Sequence, residues 1–363
     1  MPRFESIVAV SRLNRGQFRQ LLCATLLVAT FTVSCTSAFG QFVGPTALAL
    51  QNGWKSGKFQ TGHPLAEMVQ YTVQLRGEIN DGTGNPVFTL GPALVPSHVV
   101  YVPVNLCNAA NGRLIIEPSG EVSVQAESTF SDAQCQTSLE GVSFINANPN
   151  VITLTPLNLI NGWTPTVFGT ADPSVTILNG VVHFIGAMST TGANPQPFVL
   201  PVAYRPTTNV FINVDLCDGT KGQLKITPSG IVTVQAETSF SNAQCFTSLD
   251  GAWFVKNSTG FRLLTLQNGW TNSPLSTSKV EAGNIYGLVY FKGAIATGGT
   301  NPQPFSLPAA LAPVTNVSIP IDLCNGAKGA LYIRPQGEAM INTENSFSDA
   351  QCLTSLDGVS FVQ

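Results

Sequence analysis

The sequence has few charged residues. Only 10% of its 363 residues are Asp, Glu, Lys or Arg, against about a quarter in a typical soluble domain, and the net charge is −3. It contains no run of Lys or Arg, so neither nucleic-acid binding nor attraction to an anionic membrane surface has an electrostatic basis. The low charge, together with 33 glycines and 24 prolines, favours an all-β extracellular protein over a helical one.

The sequence also lacks the usual patterns of metal and nucleophile sites. No pair of Cys or His residues has the close spacing that zinc sites use. A nucleophilic cysteine needs a nearby base, usually a histidine. The histidines are His63, His98 and His183, so the last third of the chain has none, and His63 with Glu67 is the one local acid–histidine pair. We therefore predict a protein that is not an enzyme and that uses no cofactor or metal.

The N-terminal forty residues differ from the rest. Four arginines precede a 13-residue apolar run, LLCATLLVATFTV (21–33), which is too short to cross a bilayer and has the length of a signal-peptide core. We predict a signal peptide over residues 1–40, cleaved after the small residues of AFG. An alternative is lipid modification of Cys35, for which Thr32 is a poor match to the expected aliphatic residue. No later segment predicts a membrane span, so the mature chain should be secreted, periplasmic or held at the cell surface.

One 17-residue segment occurs three times, as STFSDAQCQTSLEGVSF (128–144), TSFSNAQCFTSLDGAWF (238–254) and NSFSDAQCLTSLDGVSF (345–361). The motif NGW recurs at the same interval, and its tryptophans are 109 and 107 residues apart. A period of this length fits a whole domain rather than a solenoid repeat. The prediction is a signal peptide (1–40) and three β domains, namely repeat 1 (41–146), repeat 2 (147–256) and repeat 3 (257–363), with short joints that place the domains in contact.

Within each repeat, apolar and polar residues alternate. In YTVQLRG, Val73 and Leu75 flank Gln74, and repeats 2 and 3 have His183 and Tyr290 at the position of Gln74. A period of two predicts a half-buried strand whose varied, mostly polar face is turned to solvent. No segment after residue 40 has a sustained helical period. We predict an all-β chain of three tandem antiparallel domains, each a β-sandwich or barrel of about 105 residues.

The segment GRLIIEPSGEVSVQAE predicts a β-hairpin. Its central Pro-Ser-Gly is a turn signal, and two runs of alternating apolar residues lie on either side of it. This places Leu114 and Ile116 on one strand opposite Val122 and Val124 on the other. Repeat 3 has Pro-Gln-Gly at the same turn.

Six of the eight cysteines form pairs with a common spacing of 28 residues. Six cysteines allow fifteen sets of pairs, but the repeat favours one pair closed within each domain. In an exported protein these pairs should be structural disulfides, each contributing roughly 3 kcal/mol in the chain-entropy model. The predicted disulfides are Cys107–Cys135, Cys217–Cys245 and Cys324–Cys352.

Three further sets of equivalent residues are candidates for function. An acidic pair is suggested by one glutamate and one Asp or Asn per repeat, eight and three residues before the second cysteine. Because repeat 2 has an amide in place of the acid, a local turn-capping role for the Asp/Asn position is favoured over catalysis or calcium binding. The tryptophans of NGW suit sugar stacking, but a core position after an Asn-Gly turn is favoured. The sets are Glu127, Glu237, Glu344; Asp132, Asn242, Asp349; and Trp54, Trp163, Trp270.

The order of these motifs resembles a domain at the C-terminal ends of phage tail fibres and related receptor-binding proteins. The shared features run from NGW, through a strand ending in Gly and a G…LP…P middle, to a PSG hairpin and an LDG-x-x-F end, and cover each repeat nearly throughout. The resemblance implies a β-sandwich-like fold and binding of surface glycans or proteins, but supplies no binding residues. The signal peptide and the cysteine pairs depart from it. Because tail-fibre ends commonly act as trimers, it suggests a pseudo-trimer within one chain.

The function expected from the sequence is that of a secreted, non-catalytic binding or adhesion protein. Its ligand would be a polysaccharide or glycoprotein, contacted three times at low affinity, with avidity strengthening the whole. We expect the binding surface on variable loops and on the polar strand face. The main alternative is a structural envelope or matrix protein whose repeats are rigid spacers, and a secreted hydrolase is the third candidate.

Overall fold

The strands of the protein form three copies of one arrangement. The computed structural model describes residues 42–146, 152–165 and 168–363, so the predicted signal peptide and Cys35 lie outside the described residues. The named strands pair antiparallel, and each repeat has its own apolar core. The predicted all-β fold of three tandem domains is therefore confirmed. The exact domain boundaries stay a prediction.

In the described residues each repeat has ten strands, which follow the same order except that repeat 1 has a strand at Phe88–Thr89, whereas repeats 2 and 3 instead have one at the tryptophan of NGW. Those of repeat 1 are β1 (Phe42–Ala47), β2 (Leu65–Val69), β3 (Thr72–Arg76), β4 (Glu78–Ile79), β5 (Phe88–Thr89), β6 (Val100–Asn105), β7 (Asn111–Ile116), β8 (Glu121–Ala126), β9 (Thr137–Ser138) and β10 (Ser143–Ile145). Those of repeat 2 are β11 (Thr155–Pro156), β12 (Trp163–Pro165), β13 (Ser174–Leu178), β14 (Val181–Ile185), β15 (Ala187–Thr190), β16 (Val210–Asp215), β17 (Lys221–Ile226), β18 (Val232–Ala236), β19 (Thr247–Ser248) and β20 (Trp253–Val255). Those of repeat 3 are β21 (Arg262–Leu263), β22 (Trp270–Asn272), β23 (Glu281–Ile285), β24 (Leu288–Lys292), β25 (Ala294–Thr297), β26 (Val317–Leu323), β27 (Lys328–Ile333), β28 (Ala339–Thr343), β29 (Thr354–Ser355) and β30 (Ser360–Val362).

The strands of each repeat form a four-stranded sheet and a second, more divided sheet. The first has the order β1-β2-β3-β10 in repeat 1, and the equivalent order in the other repeats. In repeat 3 the second sheet is continuous, with the order β22-β25-β29-β26-β27-β28. The predicted hairpin is β7–β8, where Leu114 pairs with Val124 and Ile116 pairs with Val122. These apolar residues pack with those of β3 to form the core of repeat 1.

The Asn-Gly turn before each tryptophan directs the indole into the core. Asn52 and Gly53 both have positive φ (46° and 76°), as a type I′ turn requires. Trp54 is buried, and its Nε1 donates a hydrogen bond to the carbonyl of Gly84 at 2.7 Å. Trp163 and Trp270 are buried in the same way. The core interpretation is therefore confirmed, and the indoles are not available to stack on a sugar.

A buried acid in the LDG motif, which is Leu-Glu-Gly in repeat 1, fixes the glycine that follows β3 or its equivalent in the first sheet. Glu140 accepts a hydrogen bond from the backbone N–H of Gly77 at 2.7 Å, and Asp357 does the same for Gly293 at 3.0 Å. Gly77 has a φ of +87°, and a Cβ there would lie 2.5 Å from the carbonyl oxygen of His63, so no other residue fits. Burial raises the pKa of Glu140 to about 8 and that of Asp357 to about 7. These acids therefore serve the fold.

The closing segment contains a short helix that the sequence did not predict. The helices are α1 (Phe130–Cys135), α2 (Phe240–Cys245) and α3 (Ser348–Cys352). With five or six residues they are too short to show a helical period. In the first turn of α1 the hydroxyl of Thr129 donates to Asp132 at 3.0 Å, and in α2 the amide of Asn242 donates to Thr238 at 3.3 Å. In repeats 1 and 2 the Asp/Asn position thus has a local hydrogen-bonding role, in a helix rather than in a turn.

Each helix ends at a disulfide. The second cysteine of a pair is the last helical residue, and the first opens a 3-10 turn. All three pairs have a Cα–Cα distance of 5.7 Å, within the usual range for disulfides. The predicted pairing is confirmed: Cys107–Cys135, Cys217–Cys245 and Cys324–Cys352. Other 3-10 turns occur at Lys58–Gln60, Val202–Tyr204 and Pro274–Ser276.

Each repeat contacts both of the others. Strands β6, β16 and β26 contact one another in all three pairings. Ser248 of repeat 2 donates to the carbonyl of Tyr101 in repeat 1, and two equivalent serines do the same in the other pairs of repeats. We call the contact of repeats 1 and 2 the first interface, that of repeats 2 and 3 the second, and that of repeats 3 and 1 the third.

The polar face of the first sheet is buried, which corrects the prediction that it meets solvent. Gln74, His183 and Tyr290 are only 3%, 5% and 5% exposed. Near them an apolar cluster joins side chains from all three repeats, among them Val69 and Trp253. The alternation of apolar and polar residues correctly predicted a strand that packs one face in the core of its own repeat. The opposite face is covered by the neighbouring repeats, so it offers no binding surface.

We predict that His183 makes the protein less stable in mild acid. Burial lowers the pKa of His183 to about 3, so the unfolded chain, with an ordinary value of 6.5, takes up the proton more readily. Stability is therefore lost as the pH falls below 6.5, by about 2 kcal/mol at pH 5. His183→Gln introduces the residue found at position 74 and should remove about this amount from the pH 8 to pH 5 difference in unfolding free energy, measured in urea. An unchanged difference would contradict the assignment.

Candidate functional site

The first interface is filled by a buried arginine and aromatic rings. Arg113 of repeat 1 donates to Asp215 of repeat 2 at 3.0 Å and to Gln125 at 2.9 Å. Its guanidinium carbon lies 4.9 Å from the ring centroid of Tyr101 and 5.9 Å from that of Phe246. Burial raises the pKa of Asp215 to about 7, although Arg113 acts in the opposite direction. Polar and aromatic groups thus occupy the whole contact.

The second interface has smaller side chains at the same positions and is also filled. Lys221 of repeat 2 donates to Asp322 of repeat 3 at 2.6 Å, and Gln223, which corresponds to Arg113, also donates to Asp322. Phe211, which corresponds to Tyr101, packs in a buried cluster with Leu353 of repeat 3. Both interfaces therefore combine a buried acid with an aromatic ring.

The third interface lacks the large side chains of the other two. Ser318 replaces Tyr101 and Phe211, Ala330 replaces Arg113 and Gln223, and Gln136 replaces Phe246 and Leu353. Asn105 replaces the buried aspartates, and its side-chain amide donates to the hydroxyl of Ser318 at 2.9 Å. Asn105 is buried, and its Oδ1 has no hydrogen-bond partner. The contact is polar and less completely occupied.

A cleft lies at the third interface. Its volume is about 630 Å³, within the range of small-molecule sites, and an adjoining depression of about 560 Å³ shares Phe59, Tyr332 and Arg334 with it. Phe59 is 49% exposed, and Tyr332 is partly exposed. The cleft lining includes Phe59, Asn108, Gln136, Ala330, Tyr332 and Asn342.

The loop that carries Phe59 is fixed to the neighbouring repeat. The side-chain amide of Asn316 in repeat 3 donates to the carbonyl of Phe59 at 2.7 Å, and the backbone N–H of Asn316 donates to the carbonyl of Gln60. The equivalent positions in repeats 2 and 3 are Phe168 and Leu275, which are also exposed. Phe168 lies against Phe246, with ring centroids 5.6 Å apart, whereas Phe59 has Gln136 at that position. One face of the Phe59 ring is thus offered to the cleft.

Three equivalent glutamates converge beside the cleft. The Nζ of Lys328 lies 3.1 Å from Glu127, 3.3 Å from Glu237 and 2.9 Å from Glu344, one glutamate from each repeat. Burial alone would lower the pKa of Lys328, but its bond with Glu344 and the charges of the other two acids raise it. The candidate carboxylates are therefore brought together as an ion-pair cluster around one lysine, and not as an acid–base pair. Sequence reasoning missed this because it compared acids within a repeat.

The other sequence candidates do not form a site. His63 is exposed and Glu67 is buried, and no hydrogen bond between them is found in the described residues. His98 of repeat 1 lies 3.5 Å from Asp250 of repeat 2, at the first interface. Residues 42–146, 152–165 and 168–363 contain no group of three or more acids, histidines or cysteines placed to hold a metal ion. In the same ranges no helix is long and apolar enough to cross a membrane.

Comparisons of the chain with protein-family models, curated proteins and solved structures find no match. The likeness to phage tail-fibre ends therefore stays a prediction from sequence. The cleft had one signal in the sequence, which was that the three repeats hold different kinds of side chain at the positions of Ser318, Ala330 and Gln136. Only the pairing of repeat 3 with repeat 1 places these residues in one contact.

We predict that Lys328→Met destabilises the protein by about 2 to 3 kcal/mol at pH 8, because three carboxylates would remain close together without a cation. The deficit should be smaller at pH 5, where the carboxyl groups can take up protons more easily. Urea unfolding at both pH values measures it. Lys279→Met, which removes an exposed lysine of the same repeat, is the control and should change stability little. Equal effects of the two variants would contradict the role of the cluster.

Proposed function

We propose that the chain is an exported, non-catalytic binding or adhesion protein that recognises an extracellular polysaccharide or glycoprotein. The cleft at the third interface is the observation that carries the proposal. It combines exposed aromatic side chains with several amides, as ligand sites commonly do. The sequence resemblance to receptor-binding ends of phage tail fibres agrees with this role.

The proposal includes a pseudo-trimer of the three repeats within one chain. Contacts of each repeat with both others, through β6, β16 and β26, support it. Rigid spacers joined end to end would need contacts between neighbours in sequence alone, so the contacts between repeats 1 and 3 favour a binding protein over a spacer. One chain would then do what three separate subunits do in a trimer.

The arrangement of acids gives a hydrolase little support. Glu140, Asp250 and Asp357 each accept a hydrogen bond from a glycine N–H in the fold. Glu344, the acid that lines the cleft, is bonded to Lys328. A pair of carboxylates on opposite sides of a substrate, as glycoside hydrolysis uses, is not formed by these residues.

We predict that Tyr332→Ala and Phe59→Ala each weaken ligand binding by about tenfold, because each removes an aromatic face worth on the order of 1 kcal/mol or more. Binding of the full chain to a printed glycan array and to whole cells is the measurement. Leu275→Ala, the matched change at the equivalent loop position of repeat 3, should leave binding intact. If neither the array nor the cells retain the protein, the proposed function is wrong.

A further inference from the structure

Accepting the proposed function, we infer that the cleft at the third interface binds an uncharged, hydroxyl-rich saccharide, with one site per chain. The first and second interfaces show which side chains occupy the location that is equivalent to the cleft. There, an aspartate meets a cation: Asp215 with Arg113, and Asp322 with Lys221. A ligand in the third interface meets different chemistry.

Both members of the ion pair of the first interface are changed in the third interface. Asn105 stands where the others have aspartate, and Ala330 stands where repeat 1 has arginine. The substitution of Asn for Asp removes the negative charge that would attract a cationic ligand. The absence of an arginine removes the bidentate donor that carboxylate or sulfate groups prefer. Compared with the first interface, the location has lost the acid and the arginine, and Lys328, which corresponds to Lys221, is held by the three glutamates beside the cleft.

The charged residues that do line the cleft already have partners. Glu344 lies 2.9 Å from the Nζ of Lys328, and Arg334 lies 3.1 Å from Glu338. A charged ligand would have to compete with these pairs. A neutral ligand would not compete with either ion pair.

The uncharged groups of the cleft match a sugar in two respects. Asn108, Gln136 and Asn342 carry amides, which can both donate and accept hydrogen bonds, as sugar hydroxyls do. Phe59 and Tyr332 provide aromatic rings against which the apolar face of a sugar ring can pack. The adjoining depression shares both rings with the cleft, so the lining favours an oligosaccharide over a single small molecule.

The filled interfaces limit the number of sites to one. The counterparts of Gln136 are Phe246 and Leu353, which are 3% and 1% exposed. Arg113 and Phe211 occupy the equivalent location in the first and second interfaces, respectively. The stoichiometry should therefore be one saccharide per chain, in place of the three weak contacts that the sequence repeat suggested.

Isothermal titration of the full chain tests the inference. The probes are neutral oligosaccharides, with uronic-acid and sulfated oligosaccharides of similar length as the charged set. We expect one neutral ligand per chain, with an affinity that changes little between low and high salt, because no ion pair is formed with the ligand. Three ligands per chain, or tight and salt-dependent binding of the charged set alone, would overturn the inference.

A variant that recreates the first interface gives a second test. Asn105→Asp with Ala330→Arg restores the acid and the arginine, and should reduce binding of the neutral probe by about tenfold or more as the arginine occupies the cleft. Gln223→Arg, which introduces the same side chain at the second interface, is the control and should bind as the parent does. Undiminished binding by the folded double variant would place the ligand elsewhere and overturn the inference.

Two further measurements keep the outcomes separate. If the double variant does not fold, as judged by thermal unfolding, Tyr332→Ala takes its place, and its unchanged binding of the neutral probe would also overturn the inference. Retention by cells or by charged glycans, without neutral binding, overturns the ligand class and leaves the proposed function standing. Absence of all binding overturns both.

Discussion

The packing of buried polar side chains between repeats is the constraint on which the rest of the structure depends. Asp215 and Asp322 lie fully buried in equivalent strands, and each finds its cation in the preceding repeat. Leaving one such charge buried without its partner costs on the order of 3 to 5 kcal/mol. The pairs differ in chemistry, since one uses Arg113 and the other Lys221. The first and second interfaces therefore hold an equivalent acid with different cations.

Lys328, at the centre of the glutamate cluster, is a further cation that pairs with acids of the neighbouring repeats. All three repeats keep the glutamate, but only repeat 3 supplies the cation. At the positions that correspond to Lys328, Asn111 donates to the carbonyl of Gly219 and Lys221 is committed to Asp322. Equivalent acids thus have unequal partners, because one lysine meets all three carboxylates while the residues at the other two equivalent positions bond elsewhere. The contact around Lys328 therefore depends on a difference in sequence between the three repeats.

The sequence predicts the inside of each repeat better than the contacts between repeats. Alternation of apolar residues located β7–β8, and the Asn-Gly turn located Trp54 in the core, because both signals are local. Helix α1 is shorter than two turns and shows no period. The polar strand face at His183 was assigned to solvent. A period of two shows that the two faces of a strand differ, but it does not show what packs against the second face. The cleft depends on Ser318 and Gln136, which lie far apart in the chain.

The same polar contacts explain why the cleft remains open and well ordered. The side-chain amide of Asn105 donates to the hydroxyl of Ser318, so a short amide and a hydroxyl meet at the positions that Asp215 and Tyr101 occupy in the first interface. Asn316 holds the backbone carbonyl of Phe59, which fixes the loop before any ligand arrives. A fixed loop loses little backbone freedom on binding, and such preorganisation increases affinity. Because the walls belong to repeats 1 and 3, a bound ligand would also link these two repeats and stabilise the interface that lacks the large side chains of the other two.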